Sequence, residues 1–488
     1  MTEPSELSLG GEAAKGTVAK FGMAIVGFLG TVVFARALGP NSFGGYYLLL
    51  TAVQLTIRPV GGWAEAGKKR FSETASDGRS ILGSVIAGYV LWTAVAAVGG
   101  LLAADVIVEY TGLNAGPVLF VVLVATIGLF EASERLVEAT GMMSVTTAID
   151  AVRSYVTFGT QLLLVVGAGA GVVGLALGLA AASLLVVPLL LYVLATAPVL
   201  PSREIVESLG SFAVYSVPAE LFNTTFDNID LLLIGALLAA DYAGDYQVAF
   251  ALVVPATFVS EVAAGGLMSR VSNLRSKRRD VVMDVTNSLS YTSVLALPLF
   301  AGALALNEPL IRVFFGTEYQ TAPALLVGLA LARIIMTQNR PLSHVLRGLD
   351  DPRADMRVSI VALGLNVVLG VTLGYAYGVY GIVAATIVSE AVRYAALAFV
   401  VRRQLGNIEL LPRPLLEQTV AAAGMLAIVV GVRSLVTIRG WVSLAVVVSV
   451  GVTGYFVLLL GVSRQTRAML RSVAESLGYA SPLSGGRD

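Results

Sequence analysis

Apolar runs of roughly 20 residues recur along almost the whole chain, each parted from the next by a short polar break. They fall at about 17–36, 43–64, 80–104, 116–137, 143–167, 171–196, 208–237, 243–269, 282–305, 320–345, 355–377, 379–401, 414–434 and 440–462. An unpaired backbone amide in hydrocarbon costs several kcal/mol, and a helix satisfies its own amides. The pattern therefore predicts an all-α, polytopic membrane protein of about fourteen transmembrane helices. None of the breaks is long enough to hold an extramembrane domain.

Basic residues give the orientation, because Lys and Arg are retained on the cytoplasmic side. With the N-terminus inside, 23 of them fall in cytoplasmic segments, from Lys15 and Lys20 to Arg471 and Arg487. The outer breaks then hold four: Arg36, Arg312, Arg433 and Arg439. One miscounted span would invert every later loop and destroy that asymmetry. Both termini are expected in the cytoplasm, with the chain crossing the plasma membrane many times. The first residues carry Glu3, Glu6 and Glu12 ahead of Lys15, the reverse of a basic leader, so no cleaved signal peptide is expected.

The chain also repeats itself at an offset of about 200 residues. Gly44-Gly45-Tyr46 after the first span returns as Gly244-Asp245-Tyr246 after the seventh. Gly171-Val172-Val173-Gly174 returns as Gly378-Val379-Tyr380-Gly381. Six helices separate the copies, so the two repeats share one orientation, related by an axis along the membrane normal. The expected organisation is a six-helix bundle over 1–200, a second related to it by pseudo-two-fold symmetry over 201–406, and two further helices with a cytoplasmic tail over 407–488.

Composition narrows the chemistry. Only 13% of residues are charged against 56% hydrophobic, too few to coat a water-soluble surface. There is no cysteine and a single histidine, His344, which argues against a thiolate or multi-histidine metal site and a cysteine nucleophile. Basic and acidic residues balance at 32 each, giving no field for nucleic acid. No phosphate-binding glycine loop is present. The reading is a non-enzymatic protein with no cofactor and no metal.

What function there is must be sought in polar residues at bilayer depth, since each ionised group there costs roughly 2.5–3.5 kcal/mol unless it faces protein or water. In the seventh span Ser216, Glu220, Asn223, Asp227 and Asp230 are spaced 4, 3, 4 and 3, which puts them on one helix face. Asp230 is the nearest of the three acids to an interface, and Pro218 beside the row predicts a kink. The tenth span carries the opposite sign: Arg333, Thr337, Arg340 and His344, with Arg347 continuing the row. In the second span Tyr47, Thr51, Gln54 and Arg58 share a face. Arginine's fork of donors fits phosphate oxygens, so Arg58, Arg333 and Arg340, with Gln54, Thr337 and Asn223 beside them, are candidate contacts for a phosphate or its glycan. Glu220, Asp227, Asp230 and Glu261 are candidates for cation or proton coupling, and Glu261, with no local partner in the eighth span, is expected to pair with an arginine across the cavity between the two halves. Asp150/Arg153 and Glu390/Arg393 can neutralise each other three residues apart. Glu131, Glu134 and Glu138 read as solvated at the inner end of the fourth span.

The segment Phe34-Ala35-Arg36-Ala37-Leu38-Gly39-Pro40-Asn41-Ser42-Phe43-Gly44-Gly45-Tyr46 resembles the join between the first two helices of polysaccharide flippases. Asn228-Ile229-Asp230-Leu231-Leu232-Leu233-Ile234-Gly235 is similar to their seventh-helix pattern, and Phe315-Gly316-Thr317-Glu318-Tyr319 to a motif between their ninth and tenth helices. The resemblance covers essentially the whole chain and implies the multidrug/oligosaccharidyl-lipid/polysaccharide exporter superfamily. It also implies a lipid-linked oligosaccharide substrate on a dolichyl or undecaprenyl phosphate or pyrophosphate, moved by alternating access. Such a protein would work with glycosyltransferases and with an oligosaccharyltransferase or polymerase, toward surface glycan or S-layer N-glycosylation. Two alternatives are weighed beside it. A multidrug exporter of the same superfamily usually lacks the last two spans and carries acids rather than arginines. A membrane glycan polymerase or ligase needs a large outer loop.

Overall fold

The computed structural model describes residues 9–73, 78–277, 279 and 281–467, with the side chains of 9–19, 262, 263 and 265 left aside. Of the basic residues that set the orientation, Arg278, Arg471 and Arg487 lie outside the described residues, as does the side chain of Lys15. The described elements are all helical. The first half runs α1 (Leu9–Phe71), α2 (Gly78–Leu102), α3 (Ala104–Thr111), α4 (Gly116–Ala139), α5 (Met143–Leu162), α6 (Gly171–Leu194), α7 (Arg203–Leu237) and α8 (Ala240–Val253). The second runs α9 (Phe258–Ser276), α10 (Val282–Tyr291), α11 (Ala296–Phe314), α12 (Ala322–Gly348), α13 (Pro352–Tyr377), α14 (Val379–Leu405), α15 (Arg413–Leu435) and α16 (Trp441–Val462).

Twelve of the described helical segments are long and apolar enough to span a bilayer. The first of them holds two crossings, because α1 is broken by Gly39 at φ 71° and ψ 171°, a conformation that favours glycine, with Pro40 opening the next stretch. The segment α7 is not among the twelve, since its polar row lowers its hydropathy although its 35 residues exceed the bilayer thickness. Counting both gives the fourteen crossings that the periodicity predicts. The eighth crossing is α8 and α9 joined by a tight 3-10 turn at Val254–Thr257 that contains Pro255. The ninth is α10 and α11, parted by a turn before Ala296. Helix α7 continues through Pro218.

The chain divides into two compact units, Met1–Val248 and Ala249–Asp488. In the first, Val60, Ile81, Leu82, Phe130, Leu136, Ile149, Leu190 and Leu209 pack α1, α2, α4, α5, α6 and α7 around one apolar core. Gly178 lets α6 approach α5 at the Gln161 backbone. The turns after the first and seventh crossings meet inside this unit. A side chain at Gly44 would overlap the Ala240 carbonyl oxygen, and one at Gly244 would overlap that of Pro40. The repeated glycines are thus a backbone-to-backbone crossing. Farther along α1, Gly62 lies against the Val217 backbone, and Ser216 Oγ donates to the Gly62 carbonyl at 2.7 Å.

The second unit has two cores. Leu267, Val271, Val285, Leu342, Val345, Leu397 and Val401 join α9, α10, α12 and α14. Leu297, Leu306, Met425, Val429, Leu444, Val447 and Tyr455 join α11, α15 and α16. Large apolar side chains such as Leu102, Leu435 and Val442 stand outward, as a lipid-facing surface requires.

Candidate functional site

Three helices of the first unit bring their ionised side chains into one row. On α1, Arg58 Nη2 donates to both carboxylate oxygens of Glu131 on α4, at 2.8 and 3.0 Å, and its Nε donates to the Gln54 carbonyl at 2.9 Å. Its Nη1 reaches Glu220 Oε2 on α7 at 3.4 Å. The other Glu220 oxygen takes Arg135 Nη2 of α4 at 3.3 Å, and Arg135 Nη1 donates to Glu65 at 3.1 Å. Lys68 closes the row on Glu138 at 2.8 Å. Four carboxylates and three cations alternate from bilayer depth toward the ends of α1 and α4. The innermost member, Arg58, keeps 13% of its side chain accessible, so water or a small anion can reach it.

The second and seventh rows predicted from spacing therefore meet at Arg58 and Glu220. The α7 row does not behave as one face, however. Ser216 and Asp230 are buried, Glu220 is half-buried, and Asn223 and Asp227 are exposed. Asp230 is buried in the protein and not hydrated: it is 7% exposed and accepts a hydrogen bond from Tyr246 Oη at 2.8 Å. Nor are Glu131 and Glu138 simply solvated, since each holds a cation of α1. The attraction and hydrogen bonds of a guanidinium offset the desolvation penalty of a carboxylate buried beside it, which is why these acids can sit inside.

Glu261 does pair with an arginine, but one of its own unit and not one across the cavity: Arg340 Nη1 lies 2.9 Å from Glu261 Oε1, which also accepts from Thr257 Oγ1 at 3.1 Å. The 3-10 turn ending at Thr257 puts that hydroxyl one helical turn before Glu261. Arg333 stacks over the Phe250 ring at 4.5 Å. Thr337 departs from its row. It is fully buried, with its hydroxyl 2.8 Å from Ser293 Oγ. His344 is half-buried, and Arg347 turns to Asp355 at 2.8 Å. The local pairs Asp150/Arg153 and Glu390/Arg393 form, each at 3.8 Å. An apolar cavity of about 290 Å³, with Leu252, Pro255, Leu299, Met425 and Tyr455 in its wall, lies in the same unit. Among the described residues, no group of three or more His, Asp or Glu side chains is placed to hold a metal ion.

Spacing overlooked three members of the first row: Arg135 and Lys68 stand only among the 23 cytoplasmic basic residues, and Glu65 receives no role. Their signal is present: Glu131, Arg135 and Glu138 follow the same 4, 3 spacing as the rows that were read, and Glu65 lies seven residues after Arg58.

A family model described as "Polysaccharide biosynthesis protein" matches residues 33–323. Among characterised relatives, the probable low-salt glycan biosynthesis flippase Agl15 of Haloferax volcanii is 25% identical over 373 residues, 75% of this chain and 77% of that protein. The probable flippase AglR of the same organism is 24% identical over 65% of this chain and 67% of its own length. Among solved structures, the lipid II flippase MurJ in an inward closed conformation aligns with a TM-score of 0.77, at 14% identity, over 91% of this chain and 97% of that one. An inward-facing multidrug transporter of the MATE family aligns at 0.64 and 13% identity, over 79% of this chain and 96% of its own.

Proposed function

The chain belongs to the polysaccharide biosynthesis protein family, and from that premise we propose that it is a flippase carrying a lipid-linked oligosaccharide across the membrane by alternating access. The observation that carries the reading is the pairing of arginines with carboxylates among membrane-spanning helices: Arg58 with Glu131 and Glu220, Arg340 with Glu261. A guanidinium offers a carboxylate and a phosphate the same parallel donors, so such an arginine can exchange one for the other. The fold likeness to flippases and exporters of one superfamily, and the flippase names of the relatives, agree with this reading.

Arg58, Arg333 and Arg340 would take the phosphate or pyrophosphate of a dolichyl or undecaprenyl carrier. Gln54 and Asn223 would meet the glycan. Glu220, Asp227 and Glu261 would carry the coupling charge. Thr337 and Asp230, engaged inside the protein in this conformation, would act only once another step of the cycle uncovers them. The apolar cavity of the second unit suits a stretch of polyprenyl chain. In this reading both termini are cytoplasmic, and the parts are 1–200, 201–406 and 407–488. Glycosyltransferases would load the carrier on one side, and an oligosaccharyltransferase or polymerase would unload it on the other, toward surface glycan or S-layer glycoprotein. The chain itself performs no bond chemistry.

The test is Arg333→Ala expressed in place of the native chain. Surface glycan, read by mass spectrometry of released oligosaccharides, should vanish while an immunoblot of the membrane fraction shows the usual amount of protein. Unchanged surface glycan would overturn the assignment.

A further inference from the structure

Glu220 is held in an unusual way. Each of its carboxylate oxygens takes a different arginine from a different helix, Oε2 taking Arg58 of α1 and Oε1 taking Arg135 of α4. Both arginines also keep a second acid of their own, Glu131 and Glu65 respectively. Neither guanidinium therefore depends on Glu220 for neutralisation. The row as a whole has four acids to three bases, so Glu220 is the acid in excess.

A carboxylate bridging two guanidiniums occupies the place that two oxygens of a phosphoryl group would occupy, since both present planar or tetrahedral oxygens to the same N–H forks. Its contacts of 3.3 and 3.4 Å are longer than the 2.8 Å between Arg58 and Glu131, so it is the looser of Arg58's two anions. The side chains at this point are 13% (Arg58), 21% (Glu220) and 28% (Arg135) accessible, which leaves the cradle reachable.

From this geometry we infer that Glu220 is a resident anion occupying the phosphoryl place between Arg58 and Arg135, and that the substrate's phosphoryl group displaces it. The inference rests on the flippase reading and extends it in two ways. It adds Arg135 to the phosphate-binding groups, and it gives Glu220 the part of a competitor beside its coupling charge. Exchange of one anion for another keeps the local charge nearly constant, so the step needs no protonation. It also has a mechanical result. The Glu220 contacts tie α7 to both α1 and α4, and a phosphoryl group in the cradle satisfies the same arginines without that tie. Binding the head group would thereby release α7 at this level, while Ser216 and the Gly62 crossing remain as its pivot.

The experiment uses the full chain in lipid nanodiscs with farnesyl pyrophosphate and inorganic pyrophosphate as probes, titrated calorimetrically at fixed salt. Glu220→Gln should tighten binding of both probes about tenfold relative to the native chain. Arg135→Gln should weaken it about tenfold, with Arg135→Lys between. Glu109→Gln makes the same change in net charge at an exposed acid of α3, outside the charge row, and should leave affinity within about twofold. Equal gains on both probes assign the effect to the phosphoryl group and support the inference; a gain confined to the farnesyl compound places the determinant in the tail and overturns it. Affinity unchanged or lowered by Glu220→Gln, an equal gain in Glu109→Gln, or no binding to either protein would also overturn it.

The mechanical half has its own readout. Because the chain has no cysteine, Glu73→Cys and Arg203→Cys can be spin-labelled as a pair near the end of α1 and the start of α7. Farnesyl pyrophosphate should lengthen their separation, and Glu220→Gln should lengthen it without ligand; a fixed distance in both cases refutes the release of α7. Failure here leaves the flippase reading standing, since that reading is judged by surface glycan in Arg333→Ala.

Discussion

Replacing Gly44 with alanine asks whether the crossing of the two repeated turns is as tight as the backbone indicates. The added methyl would overlap the Ala240 carbonyl oxygen and crowd the Gly244 amide, both backbone atoms that cannot rotate away. Relief requires one turn to move, and forced overpacking of this sort costs about 1–3 kcal/mol. The same substitution at Gly27, in the same α1 helix, meets nothing within 4 Å. There the helix gains propensity, by about 0.5–1 kcal/mol. The propensity gain is common to both glycine-to-alanine changes and cancels in their difference, so the remaining about 1–3 kcal/mol isolates the crossing. Thiol-dye melting is useless in a chain without cysteine, but intrinsic fluorescence of its three tryptophans serves. Gly44→Ala should unfold several degrees below the native chain, and Gly27→Ala at or above it. If Gly44→Ala melts with or above the native chain, the turns are not in contact and the account of the repeated glycines is wrong.

Tyr246→Phe removes the donor that Asp230 holds at 2.8 Å inside the first unit. A loss of about 1.5–3 kcal/mol in thermal or denaturant unfolding is expected for a hydrogen bond to a buried carboxylate, and a loss under about 0.5 kcal/mol would deny that the bond matters. Arg340→Gln breaks the pair with Glu261, but both side chains are more than a third accessible, at 38% and 49%, so solvent screening limits the stability cost to about 0.5 kcal/mol. Glycan export should nevertheless fall at least tenfold in that variant, measured as surface glycan per unit of membrane protein. Retained export with unchanged melting would remove Arg340 from the substrate path.

Apolar periodicity was enough to find every crossing, because a bilayer imposes one length and one polarity on each span. It was blind to whatever did not reach across. The eight residues of α3, Ala104–Thr111, are too few to span and fell inside a polar break. The break in the eighth crossing was foreshadowed by Pro255, which lies inside an otherwise unbroken apolar run, and a hydropathy window averages over it. Helix α7 starts at Arg203, five residues before the span that hydropathy predicts at 208–237, since Arg203, Glu204 and Glu207 look like loop. The capping signal was nonetheless there, with Ser202 accepting from the Ile205 amide at 3.3 Å.

The site shows a sharper limit. A spacing of 4 and 3 says which residues share a helix face, but the neighbour of that face is a tertiary fact. Thr337 lies in register with Arg333 and Arg340 yet is buried against Ser293, because the rotation between successive members lets a row drift from one neighbour to another. Charge, unlike spacing, carries information about partners, since an ionised group at depth must be answered. With Glu134 of α4 and Lys69 and Arg70 at the end of α1 left out, α1 offers Arg58, Glu65 and Lys68, and α4 offers Glu131, Arg135 and Glu138: plus, minus, plus against minus, plus, minus. Those six residues pair in that order, Arg58 with Glu131, Glu65 with Arg135 and Lys68 with Glu138. The two crossings run in the same direction, so these complementary signs meet in parallel register, but Glu134, Lys69 and Arg70 interrupt the pattern and the signs alone do not single out the pairing. What remained beyond the sign pattern was Glu220, the seventh member, which arrives from a helix more than eighty residues farther along the chain, and it is this surplus acid that the structure turns into the competitor for phosphate.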